Sequence, residues 1–312
     1  MEAFVAVIVN IFVSVTLVLT NRSILAWPGL QVPSAAVGLT ALHYVATWLV
    51  SRVVRDVEAT TCARKIGIAQ ALIIVVAGTT SVNLSNLILQ STTVDFHQLV
   101  RVLTVPFGAL LDYYVFDYPI SILRLLLIGV VCTTATVSLR EISVNACSWF
   151  LAILFIITYL TNPAVIRQVC RSGGIGSATI VHCIIPYSSL FAVTNVIVHE
   201  AYRSGPNLFS RVAHDISHVW QFVPLVVLNC VLAVSVQFSS SWLMRTTLPM
   251  TYAVVGQLKT MLTLVSAKVL ISMSSNENIT QVSVSQVLTL ISSALLAITS
   301  VIEHDKCNKS KR

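Results

Sequence analysis

Apolar residues recur along this chain in runs long enough to cross a bilayer, given about 1.5 Å of helix rise per residue against a hydrocarbon core about 30 Å thick. Ten such runs are expected, over residues 3–20, 35–54, 66–89, 94–116, 120–139, 146–166, 178–198, 219–243, 249–271 and 282–302. The third and fourth are separated by only a few residues, so merging them is the main way this count would fail. The polar stretches between runs, such as residues 200–218, are too short to bury a separate core, and neither an ectodomain nor an appended catalytic module is expected. The first run lacks a basic leading segment and a small-residue cleavage site, and reads as a retained helix rather than a signal peptide.

Composition agrees with the pattern. Hydrophobic residues make up 56% of the 312 residues and charged residues only 10%, with a mean hydropathy of +0.86, outside the range of ordinary globular domains. The expected class is an all-α, polytopic membrane protein. The formal charge of +7 is distributed as an orientation signal rather than a nucleic-acid surface. With the N-terminus placed in the cytosol, twelve Lys and Arg fall on or beside cytosolic segments, among them Arg52, Arg124, Arg167, Arg245 and the tail "KCNKSKR". Five fall on the other side: Arg22, Arg140, Arg203, Arg211 and Lys268. This is the positive-inside asymmetry, and it places both termini in the cytosol. The seven cysteines show no CxxC spacing and read as free thiols filling apolar space. Sequons at Asn21 and Asn278 hug the membrane and carry no information.

The polar connection "REISVN", residues 140–145, divides the ten runs into two groups of five, residues 1–140 and 141–312, forming one transporter-like domain. An odd number per half makes corresponding helices antiparallel, a 5+5 inverted repeat. The repeat shows in one place: the fourth run follows "TT" and carries Arg101, the ninth follows "TT" and carries Lys259, and each cation is followed by a threonine, Thr104 or Thr263.

Those two cations are the deepest basic residues. Lys259 stands near the midpoint of the ninth run and Arg101 about four residues, roughly 6 Å, from the midpoint of the fourth. A Lys or Arg at the bilayer centre costs about 2.5–3.5 kcal/mol on insertion scales, so each needs an anion or water. Tyr252, Gly256, Lys259 and Thr263 fall on one helical stripe, and His97, Gln98, Arg101 and Thr104 on another. Both stripes should face a hydrated interior, with Gly256 leaving room for a ligand. One alternative is internal pairing with Asp95 or Asp112. The other is a cavity of positive potential that selects anions, the ligand supplying the missing charge. HExxH, GxGD and rhomboid-type Ser-His patterns are absent and the seven histidines are dispersed, so no enzyme, metal site or cofactor is expected. His199, His214 and His218 read as incidental residues of a solvated loop.

The run "NLILQSTTVDFHQLVRVLT", residues 86–104, resembles the N-x-x-L-Q-x-x-T…Q-L-x-[KR]-x-x-T pattern of the nucleotide-sugar and triose-phosphate translocator family, within the drug/metabolite transporter superfamily. "PMTYAVVGQLKT", residues 249–260, is similar to the family's ninth helix, "LTALHYVATWL" to its second and "NIFVSVTLVLTNRSI" to its first. The resemblance implies a ten-helix antiporter that binds a phosphate-bearing metabolite at the midplane, with Arg101 and Lys259 gripping phosphoryl oxygens. Thr260 after the lysine resembles the Lys-Thr group associated mainly with UDP-sugars. Ser188 and Ser189 stand where guanine-binding relatives have two asparagines, which puts guanine recognition of that type in doubt. Tyr187 for stacking on a base or ribose, and Asn86, Gln90 and Tyr252 for hydrogen bonding, complete the expected site; interhelical packing is the competing role of each.

The expected function is exchange of a cytosolic nucleotide-sugar for a lumenal nucleoside monophosphate across the Golgi or endoplasmic-reticulum membrane. An empty carrier would have to move two unneutralised cations through an occluded state, whereas a loaded one moves them screened by phosphate. Gly256, Pro106 and Pro163 are the candidate bending points. A sugar-phosphate carrier of the same fold and a non-transporting scaffold are the alternatives; the lack of a transit peptide speaks against a plastid carrier. The expected partners are a phosphorylated small molecule and the lipid bilayer, with no nucleic acid and a homodimer as an open option.

Overall fold

The computed structural model describes residues 2–25, 33–53, 66–92, 94–137, 145–174, 176–201, 219–275 and 284–310. It is all-helical: α1 (Glu2–Leu25), α2 (Pro33–Val53), α3 (Ile68–Ser91), α4 (Val94–Phe116), α5 (Ile122–Val137), α6 (Ala146–Gly173), α7 (Ser177–Ala201), α8 (Val219–Thr246), α9 (Pro249–Ser275) and α10 (Val284–Ser310). Among the described residues, six helices carry segments long and apolar enough to cross a membrane, Glu2–Asn21, Ile68–Ser85, Leu99–Phe116, Ala146–Gly173, Ala178–Val198 and Val223–Thr246. Shorter apolar segments lie at Ile122–Thr133 and Thr289–Glu303. This is an integral membrane protein. Helices suit it because hydrocarbon offers no partner to a backbone N–H or C=O, and a helix satisfies both within one segment.

The ten helices coincide with the ten apolar runs, and they differ at the ends. Separation of α3 from α4 is real: Thr92 adopts an extended conformation, with its N–H returning to the Ile88 carbonyl. Helix α6 starts at Asn145, whose side chain accepts from the Ser148 N–H, and runs past the apolar stretch until Gly174 turns left-handed at φ 62°. No Gly or Pro interrupts residues 303–310, and α10 continues through these polar residues. Cys62, Asn278, the side chains of His199 and Cys307, and His214 with His218 lie outside the described residues. Among the described residues the other five cysteines form no disulfide.

Large apolar side chains cover the outside, as at Phe12, Leu126 and Leu190, while Asn10, Asn229 and Gln257 are fully buried. That inversion of a water-soluble fold follows from having lipid as the outer solvent. Inside, polar side chains join helices. Asn229 on α8 donates to Thr20 Oγ1 at 2.8 Å and to Asn21 Oδ1 at 2.6 Å on α1, and its own Oδ1 meets His43 Nε2 on α2. Asn21, the first sequon, is therefore part of the helix packing.

The main helix pairs are α1 with α8, α3 with α6, α2 with α7, α4 with α9 and α5 with α10. Exchanging each helix for the one five places along maps this set onto itself: α1–α8 becomes α6–α3, and α2–α7, α4–α9 and α5–α10 return themselves. The lesser pairs α4–α5 and α9–α10 exchange in the same way.

Two of the basic residues expected on or beside cytosolic segments, Arg124 and Arg167, are buried between helices. Arg124, 1% exposed, pairs with Glu303 at 2.7 Å, donates to the Ser300 carbonyl at 3.0 Å and lies over the Tyr118 ring, tying α5 to α10. Arg167 is buried and donates to the Thr247 carbonyl in the short corner between α8 and α9. Each head group reaches a carboxylate or carbonyl, which removes the need for solvent.

Candidate functional site

Helices α4 and α9 position the two deep cations by crossing closely. Gly108 makes this possible: a Cβ there would stand 3.0 Å from Met250 Cα, so any side chain would hold the backbones apart. One turn beyond Gly108, Asp112 Oδ2 accepts the Met250 N–H at 3.2 Å and so caps the start of α9. With that end fixed, Arg101 lies about two turns before Gly108 on α4, and Lys259 between two and three turns after Met250 on α9.

The two cations converge. Arg101 Nη1 is 3.9 Å from where a Cβ of Gly256 would stand, one turn before Lys259, and the Arg101 charge is near enough to act on Lys259. Lys259 Nζ donates to Asn10 Oδ1 at 2.8 Å and reaches Ser14 Oγ at 3.5 Å, both on α1, with the Tyr252 ring 5.9 Å away. Asn10 is held in turn by donating to Ser239 and Ser240 on α8, each at 2.9 Å. Arg101 Nη2 donates to Ser85 Oγ on α3 at 3.2 Å, and His97 Nε2 shares that hydroxyl at 2.9 Å. The guanidinium lies 5.2 Å from the centres of both the Phe155 and Tyr159 rings of α6, while its Nε is buried with no hydrogen-bond partner among the described residues.

All of these partners are uncharged. Among the described residues neither cation forms an ion pair with a carboxylate; Asp112 is engaged at the α9 N-terminus, and the Asp95 side chain lies outside the described residues. Neutral hydroxyls, an amide and ring faces hold the two positive groups in place without cancelling them. The arrangement is chemically suited to an anion with several oxygens, since a guanidinium and an ammonium together offer both forked and point-like donors.

The remaining expected residues divide. Tyr252 is in the cluster, 5.6 Å from the Tyr159 ring. Thr260 donates to the Gly256 carbonyl at 3.0 Å. The threonines that echo each other do the same work: Thr104 donates to the Arg101 carbonyl at 2.5 Å and Thr263 to the Lys259 carbonyl at 2.8 Å. Gly256 sits beside Lys259, but the space over its Cα is filled by the Tyr159 hydroxyl. Tyr187 is 61% exposed on the outside of α7, while Ser188, about 100° further round the helix, lines an interior cleft. The side chains of Asn86, Gln90 and Gln98 lie outside the described residues. Tyr159, Phe155, Ser85 and Asn10 were not expected. A buried Asn within the first apolar run was the one available signal among them.

No family model matches the chain. It is similar to curated proteins of Arabidopsis thaliana: "UDP-xylose transporter 3", 26% identical over 196 residues, 61% of this chain and 52% of the relative; and "UDP-xylose transporter 1", 27% identical over 193 residues, 59% of this chain and 53% of the relative. "UDP-xylose transporter 2" matches at 26% identity over 189 residues, 59% of this chain and 51% of that protein. The chain thus spans about half the length of the curated relatives it matches. These relatives are transporters, not enzymes.

Proposed function

We propose that this chain is a nucleotide-sugar transporter that exchanges a nucleotide-sugar, a UDP-sugar by preference, for a nucleoside monophosphate. The observation that carries the proposal is the convergence of Arg101 and Lys259 in the interior with uncharged partners only among the described residues. The likeness to UDP-xylose transporters and the Lys259–Thr260 pair support the UDP-sugar preference. In this proposal the diphosphate displaces Asn10 from Lys259 and Ser85 from Arg101, and its charge relieves the cost of both cations at the membrane centre. Exchange follows because the unloaded site has to cross an occluded state unneutralised.

The helices form two inverted five-helix halves in this scheme, and the self-mapping of helix pairs under a five-place exchange supports that arrangement. Rocking of one half against the other would expose the site to either side in turn. In this proposal the carrier lies in the Golgi or endoplasmic-reticulum membrane, and the positive-inside asymmetry supports placing both termini in the cytosol.

Reconstituted vesicles test the proposal directly. Uptake of labelled UDP-sugar should be large in vesicles loaded with UMP and small in empty ones. Equal uptake into both would overturn exchange, and no uptake of any nucleotide-sugar would overturn the proposal as a whole.

A further inference from the structure

A second interior feature lies beside the cations. Between α2, α3, α6, α7 and α8 is a half-open cleft of about 60 Å³, walled by Ile74, Ile166, Ile180, Ile184 and Met244. Tyr252 packs against the buried cluster to which these wall residues belong, and Lys259 Nζ lies 5.9 Å from its ring, so the cleft adjoins the cation site. Into the apolar walls project the polar groups of Tyr44, Asn162, Ser188, Gln237 and Ser241, and no charged residue among the described ones lines the space. Apolar walls with a few convergent polar groups are the ordinary make-up of a small-molecule site.

Asn162 stands out within it. Its Oδ1 is buried and has no hydrogen-bond partner among the described residues. Its Nδ2 is 3.3 Å from the place a Cβ on Gly78 would take, so an added methyl there would press the amide aside by a few tenths of an ångström. A buried acceptor left unmet is costly, and a site built around one discriminates in favour of whatever donates to it.

We infer that this cleft receives the uncharged ring portion of the solute whose phosphates reach Arg101 and Lys259, and that Asn162 Oδ1 accepts an N–H or O–H from that ring. The inference rests on the transporter reading above and adds to it a part of the site that no cation serves. A nucleobase and a sugar both supply such a donor.

The test uses the purified full-length chain in detergent, with inorganic pyrophosphate, UMP and UDP-xylose as the three probes and their dissociation constants as the readout. Asn162→Leu should weaken a ring-bearing probe about tenfold, the usual scale for a lost buried hydrogen bond, and leave pyrophosphate unchanged. Weakening of UMP identifies the nucleoside as the occupant; weakening of UDP-xylose with UMP unchanged identifies the sugar. Either result upholds the inference. It is overturned if all three probes bind Asn162→Leu as they bind the native protein, as when only water meets Oδ1, or if all three weaken alike, as when Asn162 merely supports the fold. Should that variant fail to fold, Gly78→Ala presses on Nδ2 and should give the same selective loss in smaller measure; its absence overturns the inference. Native protein that binds none of the probes sinks the transporter reading and this inference together, a result distinct from native binding that Asn162→Leu leaves untouched.

Discussion

Gly256→Ala separates two roles for the glycine beside Lys259. If Gly256 only leaves room for a ligand, the added methyl should affect binding and leave the empty protein as stable as before. The structure says otherwise, because a Cβ at Gly256 falls on the Tyr159 hydroxyl, and the phenol would have to move. Tyr159 is not free to do so cheaply: it stacks on Phe155 at 5.3 Å, lies against Tyr252 at 5.6 Å and covers the Arg101 guanidinium at 5.2 Å. Overpacking a well-filled interior costs about 1–3 kcal/mol, and this site is packed on each of those sides. Removal of the hydroxyl relieves the clash, since the next Tyr159 atom, Cζ, is 3.4 Å from the same Cβ position, an ordinary contact. The cycle of Gly256→Ala, Tyr159→Phe and the double variant should therefore show a coupling of about 1–3 kcal/mol, with the alanine costly alone and nearly neutral beside phenylalanine. Reversible unfolding of ligand-free protein in detergent measures it. Gly256→Ala as stable as native protein, or equally destabilising in both backgrounds, would refute the role given to Tyr159.

Lys259→Ala should abolish nucleotide-sugar exchange while insertion and expression stay near native, because the loss leaves Asn10 Oδ1 short of a single donor, about 1 kcal/mol; retained exchange in vesicles would defeat the assignment. Glu303→Gln leaves Arg124 buried without its counter-charge and should destabilise by about 1–3 kcal/mol, below the ~3–5 of a fully enclosed pair because Glu303 is 29% exposed, as read by detergent-phase unfolding. Asn229→Leu removes hydrogen bonds to α1 and α2 at once and should cost about 2–4 kcal/mol in the same assay. Asn21 should carry no glycan when the chain is made in a glycosylating host, since its Oδ1 is engaged by Asn229 within α1; a mass shift abolished by Asn21→Gln would contradict this.

The helices were legible because a lipid-facing segment has to be apolar all round, and that leaves runs no other fold needs. Their ends were less so: α6 and α10 continue through polar residues that nothing in the chain stops, and hydropathy does not register a helix that leaves the membrane. Arg101 and Lys259 could be found for a related reason, as a deep charge is costly enough to announce itself. Tyr159 could not. An aromatic residue in an apolar helix fits every packing role, and only the three-dimensional approach of α6 to Gly256 gives it this one. The ion pair of Arg124 was not legible because a basic residue near a span end reads as an orientation charge, and its partner Glu303 is too far along the chain to be associated with it by spacing.

In the proposed carrier, the hold of Asn10 on Lys259 bears on how quickly the site would turn over. A carboxylate in that position would compete with every arriving solute for the ammonium, at roughly 4 kcal/mol for charges 4 Å apart in an effective dielectric of 20. An amide braced by Ser239 and Ser240 keeps the side chain extended and ready, yet it yields at the modest cost of one neutral-acceptor hydrogen bond. When the solute departs, the same amide is waiting at the same distance. In the proposed carrier the lysine would be handed back and forth with no oppositely charged rival among the described residues to slow either step.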